Sequence, residues 1–140
     1  MRLFIAALMW IWAGSALADA VATQTLNSYR ADNGRSALRY SELLEVAASR
    51  HAQDMAARDF FDHRGSDGSD VAARVTRAGY TWCIVAENIA KGQRSLQEVL
   101  QSWANSRGHR RNMLSREVEE FALVQAPGHI WVMVLAARNC

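Results

Sequence analysis

The apolar residues of this chain keep a helical period for roughly the first hundred positions and then switch to strand-like alternation. Leu44, Ala47, Ala48, His51 and Met55 are spaced by three and four and fall on one helical face. Ser41 stands just before that run, with Glu42 and Glu45 in the first turn, which marks a capped helix start and predicts a helix reaching about Arg58. Upstream, Ala22, Leu26 and Tyr29 line a helix from about Ala20 that ends at Asn33-Gly34. A loop through Phe60-Phe61-Asp62-His63 and the turn-rich Gly65-Ser66-Asp67-Gly68 leads to a short helix from about Asp70 to Ala78, stopped by Gly79. Thr81 to Val85 is β-branched and aromatic enough for a short strand. Ser95-Leu96-Gln97-Glu98 is a capping box. It opens a helix with Leu96, Val99, Leu100 and Trp103 on its buried stripe, ended by Gly108. The tail from Glu120 to Ala137 alternates or runs apolar around Pro127-Gly128, the pattern of a β-hairpin. Helices precede strands with no βαβ rhythm, so the expected class is α+β with an antiparallel sheet.

One core is all that 140 residues, half of them hydrophobic, need supply. The first residues read as an export signal. Arg2 is followed by the apolar run Leu3 to Ala13, and Ala16-Leu17-Ala18 matches an A-x-A cleavage site. The expected organisation is a signal peptide over 1–18 and a single domain over 19–140, with Ala18-Asp19-Ala20 as a second cleavage site. A retained membrane anchor is the competing reading. The apolar run stops at Asp19, short of the roughly 20 residues that span a bilayer. Neither junction carries the cysteine of a lipoprotein. Export to the periplasm or the medium is expected, with no integral membrane segment after cleavage.

Arg2 is the only charged residue of the first eighteen, so the remainder carries 15 bases against 14 acids. That balance argues against electrostatic capture of nucleic acid. All the bases but one are arginine, scattered along the chain, with Arg110-Arg111 the only adjacent pair. Charge alone points to no partner. In an exported chain the two cysteines, Cys83 and Cys140, allow one intramolecular bridge. Two free thiols or pairing between chains are the alternatives. Neither cysteine belongs to a C-x-x-C, which speaks against redox catalysis and a zinc knuckle.

Three segments carry a family resemblance. The first is His51-Ala52-Gln53-Asp54-Met55 leading to Phe60-Phe61-Asp62-His63. The second is Ala86-Glu87-Asn88-Ile89-Ala90 with Gly92 after it. The third is Trp103 followed by Ser106-Arg107-Gly108-His109-Arg110 and Asn112-Met113-Leu114. With Leu26-Asn27, Arg30 and Asn33-Gly34 ahead of them, their order and spacing resemble the CAP superfamily of cysteine-rich secretory, antigen 5 and pathogenesis-related proteins, in its bacterial secreted branch. The resemblance implies an α-β-α sandwich around a mostly antiparallel sheet. It also implies a central cleft where two His and two Glu converge: His63, Glu87 and His109 match three of them, while Ser106 stands where the second Glu would fall. Phe121-Ala122-Leu123 departs as well, where a Gly is usual in the middle.

Two imidazoles can bind Zn²⁺ or another divalent cation, normally with a third protein ligand in catalytic sites. His63 and His109 are the candidate metal ligands, and Glu87 is the natural third party as ligand, base or orienter. In the blander reading Glu87 and Asn88 pin a loop, Asn112 stabilises a turn, and the imidazoles are satisfied locally. Ser106, placed at a helix C-terminus, would meet a macrodipole that opposes an alkoxide, and it reads as a partner to the turn presenting His109. His51 reads as packed and His129 as exposed. Arg110 and Arg111 read as solvated surface. Trp103 and Trp131 read as core, and Trp82 is undetermined. The expected function is that of a secreted, monomeric ligand-binding or envelope-associated module. The ligand is unidentified; sterol, fatty acid, metal and cell-envelope interactions are the classes the resemblance implies. The alternatives are a metal-assisted hydrolase of peptides or envelope polymers, with Glu87 as base, and a purely structural envelope protein.

Overall fold

The computed structural model describes residues 13–140; the body of the expected signal peptide lies outside the described residues. The element order is α1 (Ala13–Asp32), β1 (Arg39–Tyr40), α2 (Glu42–Arg58), α3 (Val71–Arg77), β2 (Ile84–Lys91), α4 (Leu96–Ala104), α5 (Arg107–Met113), β3 (Glu120–Ala126) and β4 (Ile130–Ala137). Both expected cleavage sites fall inside α1, which begins earlier than its apolar stripe predicts. No helix among the described residues is long and apolar enough to cross a membrane.

The sheet has the order β1-β3-β4-β2. Its β3–β4 and β2–β4 pairings are antiparallel, and only the two-residue β1 runs parallel to β3, so the sheet is mixed at one edge. β4 is central, and every one of its residues is buried. Side chains alternate across a strand, and where the length predicts a single core the alternation here sorts two, one on each face of the sheet. Trp131, Met133 and Leu135 join Leu26, Val99, Trp103, Met113 and Phe121 under α1, α4 and α5. Ile130, Val132, Val134 and Ala136 join Leu44, Ala48, Met55 and Val75 under α2 and α3. A sheet buried on both faces reads as a continuous apolar run rather than as alternation, and Ile130 to Ala137 is such a run. The result is three layers, helices on either side of a sheet.

Local chemistry sets the helix ends. The Ser41 side chain accepts from the Leu44 amide, Asp70 from Ala73, and Ser95 from Glu98. The hairpin turns through Pro127, Gly128 (φ 85°) and His129 (φ 55°), and the left-handed backbone at Gly128 is the reason for glycine there. Cys83 is bridged to Cys140 with a Cα–Cα distance of 5.9 Å, tying the chain end to the start of the edge strand.

Two expectations about local structure need correcting. The strand expected over 81–85 lies over Ile84–Lys91, so Ala86-Glu87-Asn88-Ile89-Ala90 is strand and not loop. The helix expected to end at Gly108 stops at Ala104, and Gly108 lies inside the next helix, α5. Glycine is merely unfavourable within a helix, by about 1 kcal/mol against alanine, and it does not by itself end one.

Candidate functional site

The edge strand β2 organises the site. Neighbouring residues on a strand point to opposite faces, and Glu87 and Asn88 do so with different clients. Glu87 faces the α2/α3 layer. Its Oε2 accepts from Arg74 Nη2 at 2.8 Å, and its Oε1 lies 2.7 Å from His63 Nδ1 and 4.0 Å from His51 Nε2. Asn88 faces the other layer. It donates through Nδ2 to the His109 carbonyl at 3.1 Å and accepts at Oδ1 from Asn112 Nδ2 at 2.9 Å. One strand thus fixes both imidazoles, His63 by its side chain and His109 by its backbone.

The Glu87 carboxylate is 2 % exposed, and burying an ion is tolerated only where it is paired and hydrogen-bonded. Arg74, itself buried, supplies the charge and also donates to the Ser69 carbonyl at 2.8 Å. His63 is more open, with its side chain 59 % exposed. Because a carboxylate only accepts, His63 Nδ1 carries the proton of that bond and Nε2 is left free. The hydrogen bond to Glu87 raises the His63 pKa above its ordinary 6.5. His51 is the reverse case: burial lowers its pKa. Its Nε2–H donates to the Asp62 carbonyl at 2.9 Å, while Nδ1 is buried without a partner. That bond fixes the backbone next to His63. His51 is packed, as expected, and it also helps to position its neighbour.

On the other side, Ser106 Oγ lies 2.9 Å from His109 Nδ1. Burial lowers the His109 pKa, and His63 adds to the effect by its charge, so the two rings share one neighbourhood. Ser106 is the residue before the first turn of α5, not the end of a helix, and its side chain makes no capping bond. The macrodipole argument against an alkoxide therefore does not apply. What the structure offers Ser106 is a bond to His109, and no carboxylate is bonded to that ring among the described residues.

For a metal ion the donor set falls short. No group of three His, Cys, Asp or Glu side chains among the described residues is placed to hold one. Both Glu87 oxygens are already engaged by cations or N–H groups. His63 and His109 alone make two ligands where catalytic zinc sites use three from the protein.

Asn112 also approaches the Glu87 carbonyl at 3.4 Å, completing a polar stitch between α5 and β2. Trp103 donates to the Ile89 carbonyl and Trp131 to the Gln93 carbonyl, both from buried positions. Trp82 is 38 % exposed and bonds Thr76, and His129 is exposed. Arg74 is the residue that motif reading misses. A signal was there: Val71, Arg74, Val75 and Ala78 share the spacing of a buried helical stripe, which places a lone arginine on the core face.

A three-layer α+β domain in which an edge-strand Glu-Asn pair anchors two histidines is the class these features define. The cysteine-rich secretory protein (CAP) family pattern matches residues 23–131, and the chain belongs to that family. A stretch of 89 residues is 35% identical to the uncharacterized protein YkwD of Bacillus subtilis, covering 64% of this chain and 35% of that protein. The chain therefore corresponds to about a third of this relative. Among solved structures, an extracellular SCP-domain protein from Bacillus anthracis superposes with a TM-score of 0.78 at 21% identity, over 84% of this chain and 41% of that one. An outer surface protein from Borrelia burgdorferi gives 0.78 at 16% identity, over 92% and 97% of the two chains. A cysteine-rich secretory protein from Staphylococcus aureus gives 0.74 at 16% identity, over 90% and 40%.

Proposed function

We propose that this is an exported ligand-binding module whose cleft is lined by His63, Ser106 and His109, with Glu87 behind them as orienter. The observation that carries the reading is the commitment of Glu87. Oε2 is bonded to Arg74 and Oε1 to His63, and the side chain is only 2 % exposed, so the carboxylate is engaged inside the protein rather than presented to a substrate. Its effect is to hold the His63 ring in one tautomer and present Nε2 outward as a hydrogen-bond acceptor. His109, neutral and paired with Ser106, offers its second nitrogen nearby. Two hydrogen-bonding groups at one site suit a ligand with a polar end, and a lipid or sterol is the class that the family resemblance implies. The hydrolase alternative needs Glu87 free to act as base and a third metal ligand, and the geometry favours neither. Export is supported by the Cys83–Cys140 bridge, by the leader-like first 18 residues, and by the extracellular and outer-surface descriptions of two structural relatives.

The test is native mass spectrometry and solvent extraction of the protein purified from its own compartment, beside His63→Leu and His109→Leu. A small molecule retained by wild type and lost from both variants is expected. Retention by the variants equal to wild type overturns the assignment. Turnover of envelope polymers that EDTA abolishes and Zn²⁺ restores would establish the hydrolase instead.

A further inference from the structure

The arginines that look scattered along the sequence are gathered by the fold. Arg107, Arg110 and Arg111 lie on the outer side of α5, at the i, i+3, i+4 spacing of one helical stripe. Arg35, from the turn after α1, and Arg116, just beyond α5, close around them. Together they line a hollow of about 610 Å³ in which Glu117 is the only acid among the described residues. A second hollow of about 410 Å³ shares Arg35 and Arg116 and reaches Arg30. The stripe is separate from the site above, since His109, Asn112 and Met113 project from the inner side of the same helix.

Part of this basicity has a structural use. Arg30 is 1 % exposed and donates to the carbonyls of Ser36, Met113 and Ser115, and Arg35 donates to Leu114. The bonds to Met113, Leu114 and Ser115 satisfy free carbonyls at and just beyond the end of α5, and the bond to Ser36 holds the turn after α1 against them. They do not neutralise charge: no carboxylate pairs with Arg30 or Arg35 among the described residues. Arg107, Arg111 and Arg116 make neither an ion pair nor a hydrogen bond there, and all three are exposed. A chain of formal net charge only +2 has thus concentrated five arginines around one concavity, with a buried, uncompensated sixth behind them. Like charges held this close repel, and an anion bound between them removes that cost.

We propose that this hollow is an anion site for a phosphate-bearing ligand, distinct from the His63–His109 cleft. Guanidinium forks match phosphate oxygens two at a time. A phosphate monoester brings about −1.5 to −2 of charge in a single group with three acceptor oxygens, which suits several converging forks better than one carboxylate does. The phosphate belongs either to a small soluble anion or to a lipid headgroup, and the two can be told apart.

The test uses the oxidised chain. Inorganic pyrophosphate is titrated calorimetrically, and sedimentation is measured with vesicles of two parts phosphatidylcholine to one part phosphatidic acid, whose headgroup is a phosphate monoester, with pure phosphatidylcholine as blank. Wild type should bind at least one probe at low salt. Pyrophosphate binding alone assigns a soluble anion; vesicle binding alone assigns a headgroup. Arg107→Gln with Arg111→Gln removes two cations that bond nothing else, so the fold should survive, as a thermal melt will show. At about fivefold per arginine, binding should fall by about 25-fold. The charge-matched control, Lys91→Gln with Arg94→Gln, lies outside the hollow and should stay within about twofold of wild type. The proposal is overturned if wild type binds neither probe, or if both double variants lose binding equally.

Discussion

Replacing Glu87 by alanine should be among the costliest single changes in this domain, and the structure says why. The carboxylate is 2 % exposed and is the only acid paired with Arg74 among the described residues, and the Arg74 side chain is 6 % exposed. Truncation leaves a buried guanidinium with one neutral bond, to the Ser69 carbonyl. Removing one partner of a buried ion pair costs about 3–5 kcal/mol. The His63 bond adds little, because that ring is more than half exposed and can turn to solvent. For a domain of this size the cost corresponds to a fall in Tm of roughly 10–20 °C. Glu87→Gln keeps an acceptor for Arg74 and a group within reach of His63, and should cost about 1–2 kcal/mol. Exchanging the whole pair for apolar residues, Arg74→Met with Glu87→Leu, should recover part of the alanine loss, since no charge is then stranded. Chemical denaturation of the four proteins at neutral pH reads the order directly. If Glu87→Ala lies within about 1 kcal/mol of wild type, Glu87 is not holding the site and the reasoning fails.

Three further outcomes follow from the same geometry. Reducing the Cys83–Cys140 bridge should lower stability by about 2–4 kcal/mol; peptide mapping without reductant should show one linked pair, and ready alkylation of both thiols would contradict it. Acidification acts on the histidines with opposite signs. His51 and His109 have folded pKa values below 6.5, so the stability they contribute is present above that pH and lost as pH falls through their folded values. His63 has a raised value, so its contribution is present below 6.5 and lost as pH rises through its folded pKa. Denaturation midpoints between about pH 8 and pH 5 should therefore fall more steeply with acid in His63→Ala than in wild type, and less steeply in His51→Asn; parallel curves would refute the assignment. Finally, the intact mass of the exported protein should lack the first 18 residues, or 20 at the second site, and a full-length membrane-bound product would overturn the export reading.

Much of the fold was legible because its elements carry local signatures. Ser41 and the Ser95 capping box mark helix starts by side-chain chemistry alone, and both cap in the structure; Asp70, placed only as the approximate start of its helix, caps as well. The hairpin showed in Pro127-Gly128 between apolar runs. β2 was harder to place, because Ala86-Glu87-Asn88-Ile89-Ala90 mixes a charge and an amide into a strand. Those polar residues are there for partners distant in sequence, Arg74 and Asn112, and no local propensity encodes such contacts. For the same reason Glu87, His63 and His109 could be singled out by resemblance, while Arg74 and the positioning role of His51 appeared only once α2, α3 and β2 were packed together. The basic hollow is the plainest case: residues 35, 107, 111 and 116 become neighbours only through the path of the chain around α5.

Glu87 holding His63 by Nδ1, with Nε2 turned to the cleft, is the contact on which the proposed site depends. Nitrogen-15 spectra of histidine-labelled protein, recorded across a pH titration, test that arrangement at the atoms concerned. At neutral to mildly alkaline pH the neutral His63 ring should be protonated at Nδ1 and bare at Nε2. Its pKa should lie above 6.5 and drop back in Glu87→Gln, while His109 titrates below 6.5. A His63 ring carrying its proton on Nε2, or titrating at or below 6.5 with no response to Glu87→Gln, would contradict the account.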